Sequence, residues 1–199
     1  MSDEIILDKT IIYLDSLNGV YENVNQYDFY IDIQEPIKNA MYIKILDTNL
    51  NLSVYADTIN YGIINGTQVN DLDPIYIGLN NYHRVTTKID NNVDVAKFFD
   101  VIVIDKSKYI SQFLQAHSGN AEVPLNYSSV KDESSNGFDV NDPNVYVLNP
   151  MEPNLKRFKI RLVDLKNNII TRNISTSSNI HRFTMKICVY SSRKKITMR

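Results

Sequence analysis

The side chains able to carry chemistry are few and scattered. His83, His117 and His181 lie in separate segments with no His-x-His pair. A metal site built on β-strands needs His and Glu clustered on neighbouring strands, so none is expected. Cys188 is the single cysteine, which excludes an intramolecular disulfide framework and a cysteine-rich zinc site. A reactive thiol needs a base or a helix N-terminus beside it, and Cys188 has only Lys186 and Tyr190 on its side of the strand. A passive side chain is expected there. The acid pairs Asp71/Asp73 and Asp139/Asp142 flank prolines. Calcium loops need a longer array of spaced oxygens, so turn chemistry accounts for these acids. There is no glycine-rich phosphate cradle, Gly-x-Ser-x-Gly elbow or His-Glu-x-x-His helix. The expectation is a chain with no catalytic residues, no metal and no cofactor.

Charge is the stronger signal. The 199 residues carry a net charge of only -2, yet residues 1–100 hold 6 Lys and Arg against 15 Asp and Glu, and residues 101–199 hold 15 against 8. From Pro153 onward there are 12 basic residues and one acid, Asp164. Two outcomes are open: strands from the two halves interleave and mix their charges, or the particle has an acidic and a basic face suited to docking. Arg193, Lys194, Lys195 and Arg199 follow the last apolar run as a basic cluster. It fits a protein interface better than nucleic acid, because no RNA-recognition aromatic set or helix-turn-helix pattern accompanies it.

The elements that must position these groups are strands. Phe29, Ile31 and Ile33 alternate with Asp28, Tyr30 and Asp32 until Glu35-Pro36, where a proline is expected to stop the strand. Further strands are predicted at 10–15, 40–46, 49–56, 75–79, 98–104, 145–148, 157–163, 169–174 and 181–190. In the run 157–163, Phe158, Ile160 and Leu162 face inward and Arg157, Lys159 and Arg161 outward. One short helix is predicted over 107–117, where Tyr109, Ile110, Phe113 and Leu114 fall at helical spacing. Long loops are expected at 57–73, 80–97 and 118–144. Asparagine, at 24 residues, favours turns over helix interiors. No apolar run of membrane-spanning length occurs, and Asp3, Glu4 and Asp8 stand where a signal peptide would be basic. The expected fold is all-β: an antiparallel β-sandwich, a single jelly roll over 1–190, with a basic tail at 191–199.

Three stretches resemble a known family. They are Ile12-Tyr-Leu-Asp-Ser16, Asn25-Gln-Tyr-Asp-Phe-Tyr-Ile-Asp-Ile33 and Pro36-Ile-Lys-Asn-Ala-Met-Tyr-Ile-Lys-Ile-Leu46. They resemble the opening of minor capsid proteins of nucleocytoplasmic large DNA viruses, the giant viruses. Tyr76-Ile-Gly-Leu-Asn-Asn-Tyr82 and the run from Asn149 to Asp164 resemble that family's middle and closing strands. Leu17-Asn18-Gly19 departs from the Arg/Asp-rich turn usual after the serine. The resemblance implies a jelly-roll virion protein without catalytic residues, assembled in the host cytoplasm. Its partners would be the major capsid protein and other minor capsid proteins, and it would stabilise an icosahedral shell. Candidate contact residues are Tyr127, Phe138, Arg193, Lys194, Lys195 and Arg199. The alternative is a carbohydrate- or receptor-binding β-sandwich at a virion vertex or fibre, with Tyr82, Tyr109 and Tyr127 as aromatic platforms.

Overall fold

The computed structural model describes residues 5–55, 62–64, 67–69, 74–88, 95–103, 122–130, 141–142, 144–164, 167–170 and 182–194. Within them the chain is all-β. In order come β1 (Ile5–Asp15), a 3-10 turn (Ser16–Asn18), β2 (Val20–Tyr21), β3 (Asp28–Tyr55), β4 (Gly62–Ile64) and β5 (Thr67–Val69). There follow β6 (Ile75–Leu79), β7 (Val85–Lys88), β8 (Val95–Phe98), β9 (Asp100–Ile102), β10 (Glu122–Val130), β11 (Val145–Val163) and β12 (Arg182–Lys194). Eight strands form one antiparallel sheet in the order β1-β12-β3-β11-β6-β9, with β2 and β10 also on β3. The pairs β4–β5 and β7–β8 form separate two-stranded ribbons.

Three separately expected strands, 27–33, 40–46 and 49–56, are one strand of 28 residues, β3. Pro36 does not end it. The ladder to β11 steps from Leu155↔Ile37 to Arg157↔Asp32, so the missing proline N–H falls where no pairing is required. The expected strands 145–148 and 157–163 fuse in the same way into β11. Its pairing jumps from Val147↔Tyr42 to Glu152↔Ala40, and Pro150 lies inside that gap. Asn39, at φ 55°, lies just beyond that gap. Among the described residues the non-glycine residues with positive φ are Asn39, Asn80 and Asn167. Asparagine tolerates that region because its short amide bonds locally.

A second irregularity changes the facing of β3. Against β12 the register passes from Ile187↔Ile45 to Lys186↔Asp47, which leaves Leu46 as an extra residue. The inward set then switches from Ile43 and Ile45 to Thr48 and Leu50.

One core lies inside the curled sheet. Leu14 of β1, Phe29, Ile43 and Leu50 of β3, Ile77 of β6, Phe158, Ile160 and Leu162 of β11, and Phe183 and Ile187 of β12 belong to a single buried cluster. Each large side chain removed from water contributes about 1.5–3 kcal/mol. The alternation expected in β11 holds: Phe158, Ile160 and Leu162 are fully buried.

Each of the three expected long loops contains strands: β4 and β5 in 57–73, β7 and most of β8 in 80–97, β10 in 118–144. Such short or polar runs lack the alternating apolar signal, and β10 is held by its pairing with residues 47–55 of β3. The domain edge expected at 190 is passed as well, since β12 pairs with β1 through Lys194↔Ile5. The expected helix at 107–117 lies outside the described residues. So does most of the expected strand 169–174, of which Ile169 bridges to Val163.

Gly19 has an ordinary φ of -78°, so its value lies in space. A Cβ there would stand 2.5 Å from Cδ2 of Phe29, itself buried. Gly19→Ala is expected to destabilise the fold by about 1–3 kcal/mol through overpacking. Urea denaturation checks this, and an unchanged midpoint would contradict the close approach.

Candidate interaction surfaces

Antiparallel pairing brings the acidic half of the chain onto the basic half. Arg157 Nε lies 2.7 Å from Asp32 Oδ1, a pair made cross-strand by the Arg157↔Asp32 register. The same guanidinium sits 4.1 Å over the Tyr30 ring. Lys159 Nζ is 3.0 Å from Glu22 Oε1 and 3.5 Å from Asp28 Oδ1, while Arg161 Nε is 3.6 Å from Asp28 Oδ2. Arg193 Nε approaches Asp8 to 3.7 Å across β12 and β1. The hydrogen bond from Arg157 holds the Asp32 carboxyl below its ordinary range, and that to Glu22 pushes the Lys159 ammonium up. On this surface the charges interleave.

Three ion pairs are more deeply set. Lys44 Nζ lies 2.7 Å from Asp142 Oδ2, with the two side chains 6% and 17% exposed. Alternation places Lys44 on the face of β3 opposite Ile43 and Ile45, yet it is buried and paired there with Asp142. Asp142 also behaves as the turn acid that its proline neighbour implied: its Oδ1 accepts from the Asn144 N–H at 2.8 Å. Arg84 pairs with the buried Asp100 at 2.8 Å and donates to the Phe99 carbonyl at 3.2 Å. That pairing explains how an acid fits in the apolar run 98–104. Arg182 grips Asp15, whose side chain also caps the 3-10 turn through the Leu17 N–H. Burial pushes Asp15 up, but Arg182 and the Leu17 N–H outweigh it and hold the carboxyl down.

The outer face of β12 and β3 carries a small apolar cluster of Leu46, Cys188 and Tyr190 with Tyr42 against it. Burial pushes the Cys188 thiol up and the Tyr190 phenol up to about 12. A raised thiol is the opposite of an activated one. This cluster runs toward the edge of the sheet. Lys9, Ile11 and Tyr13 of β1 lie opposite Tyr190, Cys188 and Lys186, and Ile11 and Tyr13 are 54% and 59% exposed. Leu17, Val20 and Val24 are also exposed, Val20 in β2 beside the start of β3. Among the described residues β1 pairs with β12 alone.

Three of the six candidate contact residues, Tyr127, Arg193 and Lys194, fall among the described residues. Tyr127 lies in β10, its backbone opposite Leu50, and not in a loop. Arg193 and Lys194 end β12 opposite Ile6 and Ile5, and the Arg193 side chain is 69% exposed. Phe138, Lys195 and Arg199 lie outside the described residues, as do His117, His181 and Tyr109. His83 and Tyr82 line a cleft of about 290 Å³ with Gly78, Asn80, Asn81, Lys97, Phe98, Arg161, Val163 and Asn167. The cleft was not foreseen; a glycine inside the strand pattern 75–79 was its only trace in the sequence. Among the described residues no group of three or more His, Cys, Asp and Glu comes together as metal ligands would. No helix among them is long and apolar enough to cross a membrane. The sequence matches no family model and no curated protein.

The Lys44–Asp142 pair has a pH signature. The hydrogen bond from Lys44, foremost, holds the Asp142 carboxyl below the ordinary carboxylate range. A depressed folded-state pKa contributes stability that is complete above the unfolded value of about 3.9 and is lost as pH falls through the folded one. Asp142→Asn removes one carboxylate from the buried Lys44 and is expected to cost about 1–3 kcal/mol at neutral pH. It should also flatten the loss of stability below pH of about 4. Denaturation curves from pH 7 to 2.5 measure both, and parallel curves for variant and parent would refute the pair's role.

Proposed function

We propose that this chain is a non-enzymatic virion structural protein, a minor capsid component. In this reading it binds major capsid capsomers and neighbouring minor capsid proteins and stabilises an icosahedral shell assembled in the host cytoplasm. The observation that carries the reading is β1, which among the described residues is an edge strand paired with β12 alone. Strand edges present unused N–H and C=O groups that template another strand, and monomeric proteins blunt them with charge or proline. β1 has Asp8 and Lys9 in its first half but no charge from Thr10 to Leu14, and it exposes Ile11 and Tyr13 there. An edge of that kind suits strand addition by a neighbouring chain. The resemblance of the opening, middle and closing strands to giant-virus minor capsid proteins supplies the kind of neighbour.

The finer architecture belongs to the same proposal. β1, β12, the end of β3 and β10 form one layer of a single jelly-roll sandwich. β2, the start of β3, β11, β6 and β9 form the other. The basic cluster Arg193, Lys194, Lys195 and Arg199 provides a second contact. A carbohydrate- or receptor-binding role at a vertex or fibre is the alternative, favoured by Tyr82 at the rim of the cleft.

The double variant Ile11→Lys/Tyr13→Lys should lower the amount of this chain in purified particles by about tenfold, as loss of an interface anchor predicts. Its circular dichroism and melting temperature should stay those of the parent. Mass spectrometry of the particles reads the outcome. Full incorporation of the variant, or particles of the parent virus that lack the chain, would overturn the proposal. Reversing Arg193, Lys194, Lys195 and Arg199 to glutamate should also impair incorporation, and normal incorporation would remove that cluster from the interface. A glycan array without hits would dispose of the alternative.

A further inference from the structure

The cleft beside β6 and β11 has no part in a docking edge on β1, which lies at the far end of the sheet order. Among the described residues its lining holds three groups able to carry positive charge, His83, Lys97 and Arg161, and no Asp or Glu, in a protein whose net charge is -2. We propose that this cleft binds a compact oxyanion: a sulfate, phosphate or carboxylate group carried on a small ligand.

The site is built rather than incidental. Asn80, at φ 47°, turns the chain after β6 and ties the turn to β11: its Oδ1 accepts from the Lys159 N–H at 2.7 Å and its Nδ2 donates to the Arg157 carbonyl at 3.3 Å. The Tyr82 N–H closes the turn on the Leu79 carbonyl at 3.0 Å. The rim that carries Asn81 and His83 is thereby fixed before any ligand arrives. Phe98, stacked on Tyr76 at 4.7 Å, and Val163 form an apolar wall, against which a charge-assisted hydrogen bond is stronger than in open water. Arg161 stands opposite Gly78 in the register and keeps its ion pair with Asp28 at 3.6 Å, a contact longer than a hydrogen bond that a bound oxyanion would share. Gly78 has no backbone need to be glycine: a Cβ there would make ordinary contact, 3.5 Å from the Arg161 Cβ. What a side chain at 78 would do is occupy the cleft.

Sodium sulfate and sodium phosphate are titrated into the full chain at constant ionic strength, with chloride as the balancing anion, and backbone amide NMR shifts are followed. Saturable shifts at residues 78–83, 97 and 161 are expected. Gly78→Val, which fills the cleft, and Lys97→Gln, an exposed change that leaves the fold alone, should each weaken binding by about tenfold. A galactose 6-sulfate arm separates the sources: tighter binding than inorganic sulfate assigns the anion to a saccharide, and equal binding assigns it to a free oxyanion. Shifts that do not saturate, that spread equally over Arg157, Lys159 and Arg193, or that survive both substitutions would overturn the proposal. None of these outcomes bears on incorporation into particles.

Discussion

A strand of 28 residues drawn straight would reach about 90 Å, whereas a compact chain of this size has a radius of gyration of only about 16 Å. β3 therefore has to bend, and the rest of the molecule follows from where it does so. One break in regular pairing falls at 33–41, where the ladder to β11 shifts around Pro36 and again beyond Ala40. The other falls at Leu46, the extra residue against β12. Because β3 pairs with β2 and β11 at its start and with β12 and β10 at its end, bending it curls the whole sheet. The inner faces of the two ends then meet in the single cluster that joins Phe29 and Phe158 to Leu50 and Phe183.

The same pairing resolves the charge imbalance of the chain. An acidic half and a basic half would repel within themselves if each folded alone. Threading β3 between β11 and β12, and β1 beside β12, sets Asp32 against Arg157, Asp28 against Lys159 and Arg161, and Asp8 against Arg193. Exposed pairs of this sort contribute little stability each, about 0–1 kcal/mol. Their larger effect is on register, since a slip by one residue would set Arg157 and Arg161 opposite apolar residues of β3 and turn the apolar face outward.

Much of this was legible in the sequence, for a simple reason. Period-two alternation reports which face of a strand is buried, so Phe29/Ile31, Phe158/Ile160/Leu162 and Phe183/Met185/Ile187 fell on the inner side as read. The number of strands was not legible. Pro36 and Pro150 look like stops, yet both sit where a bulge asks nothing of their nitrogen. β10 and the ribbons β4–β5 and β7–β8 were hidden because polar and short strands are specified by their partners rather than by their own pattern. Lys44 reads as a solvated outer residue, and only the fold brings Asp142, a hundred residues away, onto it. The cleft escaped for the same reason: His83, Lys97 and Arg161 come from three elements that the sequence does not connect.

β3 acts as one spine shared by both ends of the sheet. Native-state hydrogen exchange tests this directly. Amides of Ile31 and Leu50, at opposite ends of the strand, should exchange with the same free energy of opening, equal to that of global unfolding. Phe158→Ala, which removes a ring from the shared core, should lower both by the same amount, about 3–5 kcal/mol. Exchange of the two ends with different free energies, or a response confined to the end nearer Phe158, would mean two separately stable sheets and would contradict it.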